Sequence, residues 1–446
     1  MTDILKKNHN GVNMIRKIVL GFIGIILLVN NIEAADLIAK GDVLNLQQCI
    51  EIARRIHPNI NAATSTIRIN ESRIGQARAG YYPQLTFQSS YQRIAPSPLS
   101  IIGPTPIPIT IDPYNQYSNT LSLSQTIFDF GKTYNQVQIQ SLGKESSQAD
   151  FQDISGQVIL GVKQAYYGYL QAKMSRDVAA ETVSQFQRHY EMAKAFFETG
   201  KTSKIDQTSA EVNLSNAKIN LLKAENAQRI GKITLTNAMG IMNAPEYEIK
   251  DDLDYRPYEV SLDEALKNAY KNRPDLLSTL KKKEGLEKTI DLNKKGYLPV
   301  LSGNAAYGYT GDDLVMDKAW SVGVTLTFPL FTGLSTKYQI DEAKANLDVL
   351  KANEDSLMQR VYLQVESAYL SLKEAAERIS AGQIIVKQAE ETVELAKGRY
   401  SAGVGSSIEI TDAMITLNNA KMTYITALSD YSVAQANLEK AMGVQK

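Results

Sequence analysis

The chain carries the same template twice. Leu46, Ala53 and Pro58 recur as Leu262, Ala269 and Pro274, an offset of 216, and that offset also carries Pro83 onto Pro299 and Leu85 onto Leu301. Farther on the offset becomes 203. It sets Ile127-Phe128 against Leu330-Phe331, Ala165-Tyr166 against Ala368-Tyr369, Gly200 against Gly403, and Met239-Gly240 against Met442-Gly443. The two offsets differ by 13, so the first copy carries one insertion. It falls in the proline-rich stretch from Pro96 to Pro113, which reads as a loop. A duplication on this scale constrains a chain more than any motif, because both copies must fold alike and bury their faces on each other. It implies a first structural repeat over 36–255 and a second over 256–446, preceded by a segment 1–35 of different character.

In that first segment, Arg16-Lys17 precede an apolar run from Ile18 to Val29, and the small pair Ala34-Ala35 follows. The order basic, apolar, small is that of a secretory signal peptide over 1–35. Met1 and Met14 are both candidate starts, and cleavage falls after Ala34 or Ala35; a retained anchor is the alternative. Removing the segment takes four basic and two acidic residues from totals of 48 and 48, leaving a net charge of −2. Such a balance excludes the basic excess of a nucleic-acid binder. No run after residue 30 is apolar enough to span a bilayer as a helix.

All 13 prolines lie outside two windows, 114–244 and 330–446. Proline inside a helix costs about 3 kcal/mol, so these windows permit very long helices, at about 132–198, 203–240, 335–401 and 406–442. A helix of roughly 65 residues is about 100 Å long. In the last segment Ile410, Leu417, Tyr424, Tyr431 and Leu438 alternate with Met414, Lys421, Leu428, Gln435 and Met442. That is a coiled-coil seam with two polar breaks.

Each copy also carries two segments of strict alternation, at about 84–94 and 117–128 and at about 300–310 and 320–331. Leu85, Phe87 and Tyr91 alternate with Gln and Ser; Trp320, Val322, Val324 and Leu326 alternate with Ser, Gly and Thr. Tyr81, Tyr82, Tyr114, Tyr117, Tyr297 and Trp320 gather at the segment ends. Segments of about ten residues with an apolar outer and a small polar inner face, bounded by aromatics, are those of membrane barrel strands; a half-buried antiparallel sheet is the other reading. Four strands cannot close a barrel, and open edges cannot stand in lipid. Two copies would give eight strands and a filled interior, whereas three give twelve and room for water. The expected fold is therefore mainly α with membrane β: long duplicated coiled-coil helices and four strands per subunit.

Chemistry is not suggested. The histidines are His9, His57 and His189, the last reading as a solvated position on a long helix. There is no Walker loop, no Cys/His metal spacing and no Gly-x-Ser-x-Gly, so no enzyme, cofactor or metal is expected. Cys49, the only cysteine, reads as a small apolar residue on a helix face.

With its duplicated helix–strand–strand–helix plan, Tyr82-Pro83, Leu298-Pro299, Phe328-Pro329-Leu330-Phe331-Thr332-Gly333, Tyr400-Ser401-Ala402-Gly403 and Asn418-Asn419-Ala420-Lys421, the chain resembles the TolC-like outer-membrane efflux protein family over roughly 42–443. The resemblance implies a homotrimer in outer-membrane lipid, with a 12-stranded barrel continued by a periplasmic α-helical barrel. Its function would be the passive exit duct of a tripartite efflux or type I secretion system, served by a periplasmic adaptor (membrane fusion) protein and an inner-membrane transporter. It also implies a periplasmic gate at Glu409, Asp412 and Asp206, and adaptor-docking tips at Gly200, Lys201, Gly403, Val404 and Gly405. At 405 the family pattern implies a basic residue, and glycine stands there, so Lys201 and Lys204 become candidate substitutes. Read from the residues alone, Glu409 and Asp412 share a helix face and suit either an acidic ring or the capping of a helix start. A non-channel coiled-coil scaffold or adhesin of the cell surface is the alternative function.

Overall fold

The computed structural model describes residues 38–95, 99–101, 107–109, 112–313 and 316–444. The signal segment read from the sequence lies outside them. The first half runs β1 (Val43–Leu44), α1 (Leu46–Ile56), α2 (Pro58–Arg78), β2 (Gln84–Ile94), β3 (Leu99–Ile101), β4 (Ile107–Ile109), β5 (Tyr114–Phe128), α3 (Lys132–Glu198) and α4 (Lys204–Ala238). The second runs β6 (Glu248–Ile249), α5 (Leu262–Asn272), α6 (Pro274–Lys294), β7 (Val300–Gly311), β8 (Asp317–Thr327), α7 (Ser335–Ser401) and α8 (Ser407–Ala441). Corresponding helices have equal lengths of 11, 21, 67 and 35 residues.

The local causes repeat as well. Pro58 and Pro274 open α2 and α6, and the residue before each, His57 and Arg273, is extended, which separates these helices from α1 and α5. Asp129 accepts from the Gly131 and Thr133 amides at the start of α3, and Gly131 takes a positive φ of 78° there. Leu334 occupies the same left-handed region (φ 67°) before α7.

One sheet holds the order β2-β5-β7-β8, antiparallel throughout. Gln84 faces Ser124 in the first hairpin and Val300 faces Thr327 in the second, so the two sequence offsets carry one ladder onto the other. Leu85, Leu123, Ala305 and Val322 form one cross-strand row on the outer face, and Phe87, Leu121, Tyr307 and Trp320 the next. The opposite face carries Thr86, Ser122, Ala306 and Ser321 in a row. β5 begins three residues before the expected 117. β8 begins at Asp317 rather than 320 and ends at Thr327 rather than 331, because Pro329 has no N–H to give to a ladder. The insertion expected as a loop contains a short antiparallel ribbon, β3–β4, with Leu99 opposite Ile109.

The main core is a belt at mid-length of the long helices. There α1, α5 and the parallel β1–β6 pair pack on α3, α4, α7 and α8 through Ile50, Cys49, Val162, Tyr166, Leu235 and Leu438. Gly240 and Gly443 close the two copies in the same way. Each has a positive φ, and a Cβ would stand 2.8 Å from His57 Cα at Gly240 and 2.7 Å from the Asn272 carbonyl carbon at Gly443. Gly443→Ala is therefore expected to lower stability by about 1–3 kcal/mol through left-handed strain alone, with the backbone clash adding to it. A thermal midpoint equal to wild type would refute this.

Candidate functional site

The site is built on the two turns that join the long helices. α3 ends at Glu198 and α7 at Ser401, each in a Schellman arrangement. Gly200 (φ 72°) donates to the Phe197 carbonyl at 3.0 Å and Lys201 to Phe196 at 2.8 Å; Gly403 (φ 75°) donates to Tyr400 at 3.0 Å and Val404 to Arg399 at 3.0 Å. Ser203 and Ser406 then cap α4 and α8 through their hydroxyls. Neither glycine has a neighbour within 4 Å of an added Cβ, so φ and not space selects them.

Behind the turns a second apolar cluster holds the four helix ends together, with Phe186 on α3, Leu214 on α4, Tyr400 on α7 and Ile410, Met414 and Leu417 on α8. His189 is buried among them, contrary to the solvated position expected from sequence: it is 1% exposed. It lies on the same stripe as Phe186 and Ala193, spaced three and four residues away, and that spacing was the available signal. Its Nε2 is 3.1 Å from Ser407 Oγ and its ring packs edge-on against Tyr400 at 5.6 Å. The His189 Nδ1 and the Tyr400 hydroxyl are buried without hydrogen-bond partners. Burial holds the His189 pKa below its ordinary 6.5, with the Asp206 charge acting against it.

The three carboxylates named from sequence sit differently. Asp206 turns back on its own turn, where it accepts from the Thr202 and Ser203 hydroxyls and the Ser203 amide, and these bonds, the Thr202 one foremost, hold its pKa below the carboxylate range. Glu409 pairs with Arg399 Nε at 3.2 Å. Asp412 is exposed one turn further along α8. Lys201 and Lys204 lie over the Phe196 and Phe197 rings at 5.6 and 5.2 Å. Arg399, which donates to Glu409, also donates to the Val404 carbonyl at 3.3 Å. A Cβ at Gly405 would stand 2.9 Å from Arg399 Cβ and 3.0 Å from the Tyr400 nitrogen. The close of α7 itself therefore leaves no room for a side chain at 405.

A two-faced sheet with open edges, long duplicated helices and paired turns at their far end now stand together. The family model described as outer membrane efflux protein matches residues 49–241 and 265–444. The chain belongs to that family. Among curated relatives, it is 24% identical to the outer membrane protein TolC of Escherichia coli over 90% of this chain and 82% of TolC. It is also 24% identical to the alkaline protease secretion protein AprF of Pseudomonas aeruginosa, over 74% of this chain and 70% of AprF. Among solved structures, the Campylobacter jejuni CmeC outer membrane channel superposes with a TM-score of 0.76 at 18% identity over 89% of this chain and 85% of that one. VceC of Vibrio cholerae gives 0.74 at 17% over 90% and 96%.

Membership fixes the role as an outer-membrane channel for efflux or type I secretion, and the likeness to the solved channels fixes the fold. The family is one of transport ducts. Among the described residues no helix is long and apolar enough to cross a membrane. Arg399, His189 and Tyr400 are the tip residues that motif reading did not single out as site residues. Only the turn between α7 and α8 brings Arg399 to Glu409, ten positions on.

The linkage sign at His189 follows from its lowered pKa. Above about pH 6.5 the imidazole is neutral folded and unfolded alike, and the tip keeps its full stability. Below that, the unfolded ring takes a proton that the folded one resists, so stability falls toward the depressed folded value. Hydrogen exchange in 186–200 and 400–414, corrected for intrinsic rate, is expected to rise between pH 7.5 and 5.5. His189→Gln is expected to flatten that rise; an equal rise in the variant would remove His189 as its source.

Proposed function

We propose that three copies of the chain form one continuous conduit through the outer membrane and across the periplasm. An inner-membrane transporter drives cargo through it by way of a periplasmic adaptor protein, and the conduit itself does no chemistry. One observation carries this reading: a four-stranded sheet with an apolar outer face, a small polar inner face and two edges that, among the described residues, no strand of its own chain covers. In lipid every backbone N–H and C=O must find a partner. Three such sheets closing on one another meet that demand and leave a wet interior. One relative is named for efflux and another for protease secretion, which supports a duct whose cargo is chosen by its partners.

At the far end, the turns 199–204 and 402–407 dock the adaptor. Val404 and Ile408 are about two-thirds exposed there and Ile205 three-quarters, an apolar tip with no cover within the subunit. Glu409 and Asp412, repeated three times about the axis, ring the constriction and favour cations. Asp206 steadies the tip by accepting from the Thr202 and Ser203 hydroxyls at the start of α4. The Arg399–Glu409 pair is roughly half exposed on both sides, and such pairs contribute about 0–1 kcal/mol. Burying each of Phe186, Leu214, Val393, Ile410, Met414 and Leu417 contributes about 1.5–3 kcal/mol. The apolar cluster therefore holds the tip of each subunit together, and the ion pair adds little to it.

In planar bilayers the purified protein is expected to conduct weakly, with a cation preference that Glu409→Gln with Asp412→Asn reduces. Arg399→Ala is expected to raise open probability by at most about fivefold, the factor set by 1 kcal/mol. An assembled trimer with no conductance in any of these forms would overturn the channel reading. Gly200→Val with Gly403→Val forces two left-handed positions, at about 1–2 kcal/mol each, and is expected to abolish export while the trimer still assembles. Unchanged export would remove the turns from the docking surface.

A further inference from the structure

The internal duplication carries information about a contact that lies outside one subunit. Within the chain, β5 of the first copy pairs with β7 of the second, with Ser122 facing Ala306, Leu121 facing Tyr307 and Asn119 facing Tyr309. β8 is the second-copy equivalent of β5, offset by 203, and β2 is the first-copy equivalent of β7, offset by 216. The two intrachain hairpins superpose on these offsets residue for residue, Gln84–Ser124 on Val300–Thr327. β8 and β2 are also the two uncovered edges of the sheet.

We propose that in the closed barrel β8 of one subunit pairs with β2 of the next in the register that the β5–β7 ladder prescribes. Thr325 then faces Ser90 of the neighbouring copy, Gly323 faces Gln92, Val324 faces Tyr91, and Val322 faces Arg93. The inference rests on the trimeric conduit reading and adds the residue-level seam.

Four independent features of the chain fit this register. Its parity is right: Val322, Val324 and Tyr91 stand on the outer face and Gly323, Thr325, Ser90 and Gln92 on the inner one, whereas a one-residue slip would invert a whole edge. Gly323 has nothing within 4 Å of where its Cβ would be, and the register places the long Gln92 side chain opposite it. Trp320, which is 72% exposed in the single subunit, lies diagonal to Arg93 at a separation of about 7–8 Å between strand positions, within reach of both long side chains. A guanidinium over an indole face is favourable, and Trp320 has no cation of its own chain above it among the described residues. Finally, the β5–β7 ladder shifts register just past Thr126, and the β8 counterpart of Thr126 is Pro329, which cannot donate to a ladder. Both ladders therefore break at the same height.

Paired cysteines in the full-length protein test the register. Cys49 is fully buried and does not compete. Ser90→Cys with Thr325→Cys places two Cβ atoms directly opposite across the seam, and mild oxidation in outer membranes is expected to give covalent trimers on a non-reducing gel. Gln88→Cys or Gln92→Cys, each with Thr325→Cys, slips the pair by two residues beyond disulfide reach, and several-fold less cross-linking is expected. Ser122→Cys with Ala306→Cys, the intrachain counterpart, is expected to oxidise without forming oligomers. Stronger cross-linking from either slipped pair overturns the proposed register. So does an absence of cross-linking from all three seam pairs in a protein shown to be trimeric by native mass. A protein that native mass shows not to be trimeric overturns the conduit reading itself, and the seam with it.

Discussion

A strand edge in hydrocarbon is the constraint on which the rest of this molecule depends. β2 and β8 present rows of N–H and C=O groups that no strand among the described residues of their own chain covers, on a sheet whose outer face is lined by Leu85, Phe87, Trp320, Val322 and Val324. Each unpaired group would cost several kcal/mol in lipid. Closure by identical copies removes the cost, and it makes the rest of the subunit threefold. The strands hand this symmetry to the helices through short, tightly tied junctions. Lys132 Nζ reaches the Leu298 carbonyl at 3.2 Å and Lys295 Nζ the Gly131 carbonyl at 3.0 Å, so the start of α3 and the entry to β7 are fixed to each other.

Along the helices, burial supplies the energy and polar contacts supply the register. The seam residues Ile410, Leu417, Tyr431 and Leu438 are all buried. The two polar breaks have partners: Lys421 bridges Glu181 at 3.0 Å and Glu390 at 3.6 Å, and Gln435 donates to Glu439 at 3.0 Å. Glu439 in turn meets Lys163 at 2.6 Å in a nearly buried pair between α8 and α3. A buried pair of this kind adds little net stability over a well-packed apolar one, but losing one partner alone is costly. Such a pair therefore selects one alignment of α8 against the 67-residue α3.

The tip uses the same division of labour with smaller margins. A half-exposed Arg399–Glu409 pair, two capped helix starts and one apolar cluster hold the turns together.

The sequence by itself determined the duplication, the helix spans, the strand alternation and the turn glycines, because each is set by local physics: proline exclusion, periods of 2 and 3.5, and positive φ at Gly200 and Gly403. It also determined that the barrel must be shared, since four strands are too few. The tertiary structure alone decided what depends on residues far apart in the chain. It buried His189 against Ser407, 218 positions away, where a polar residue on a long helix reads as solvated. It turned Asp206 onto its own helix start and brought Arg399 to Glu409 through the bend of the turn. Periodicity reports which face of an element is apolar; it does not report which element will come to lie against that face.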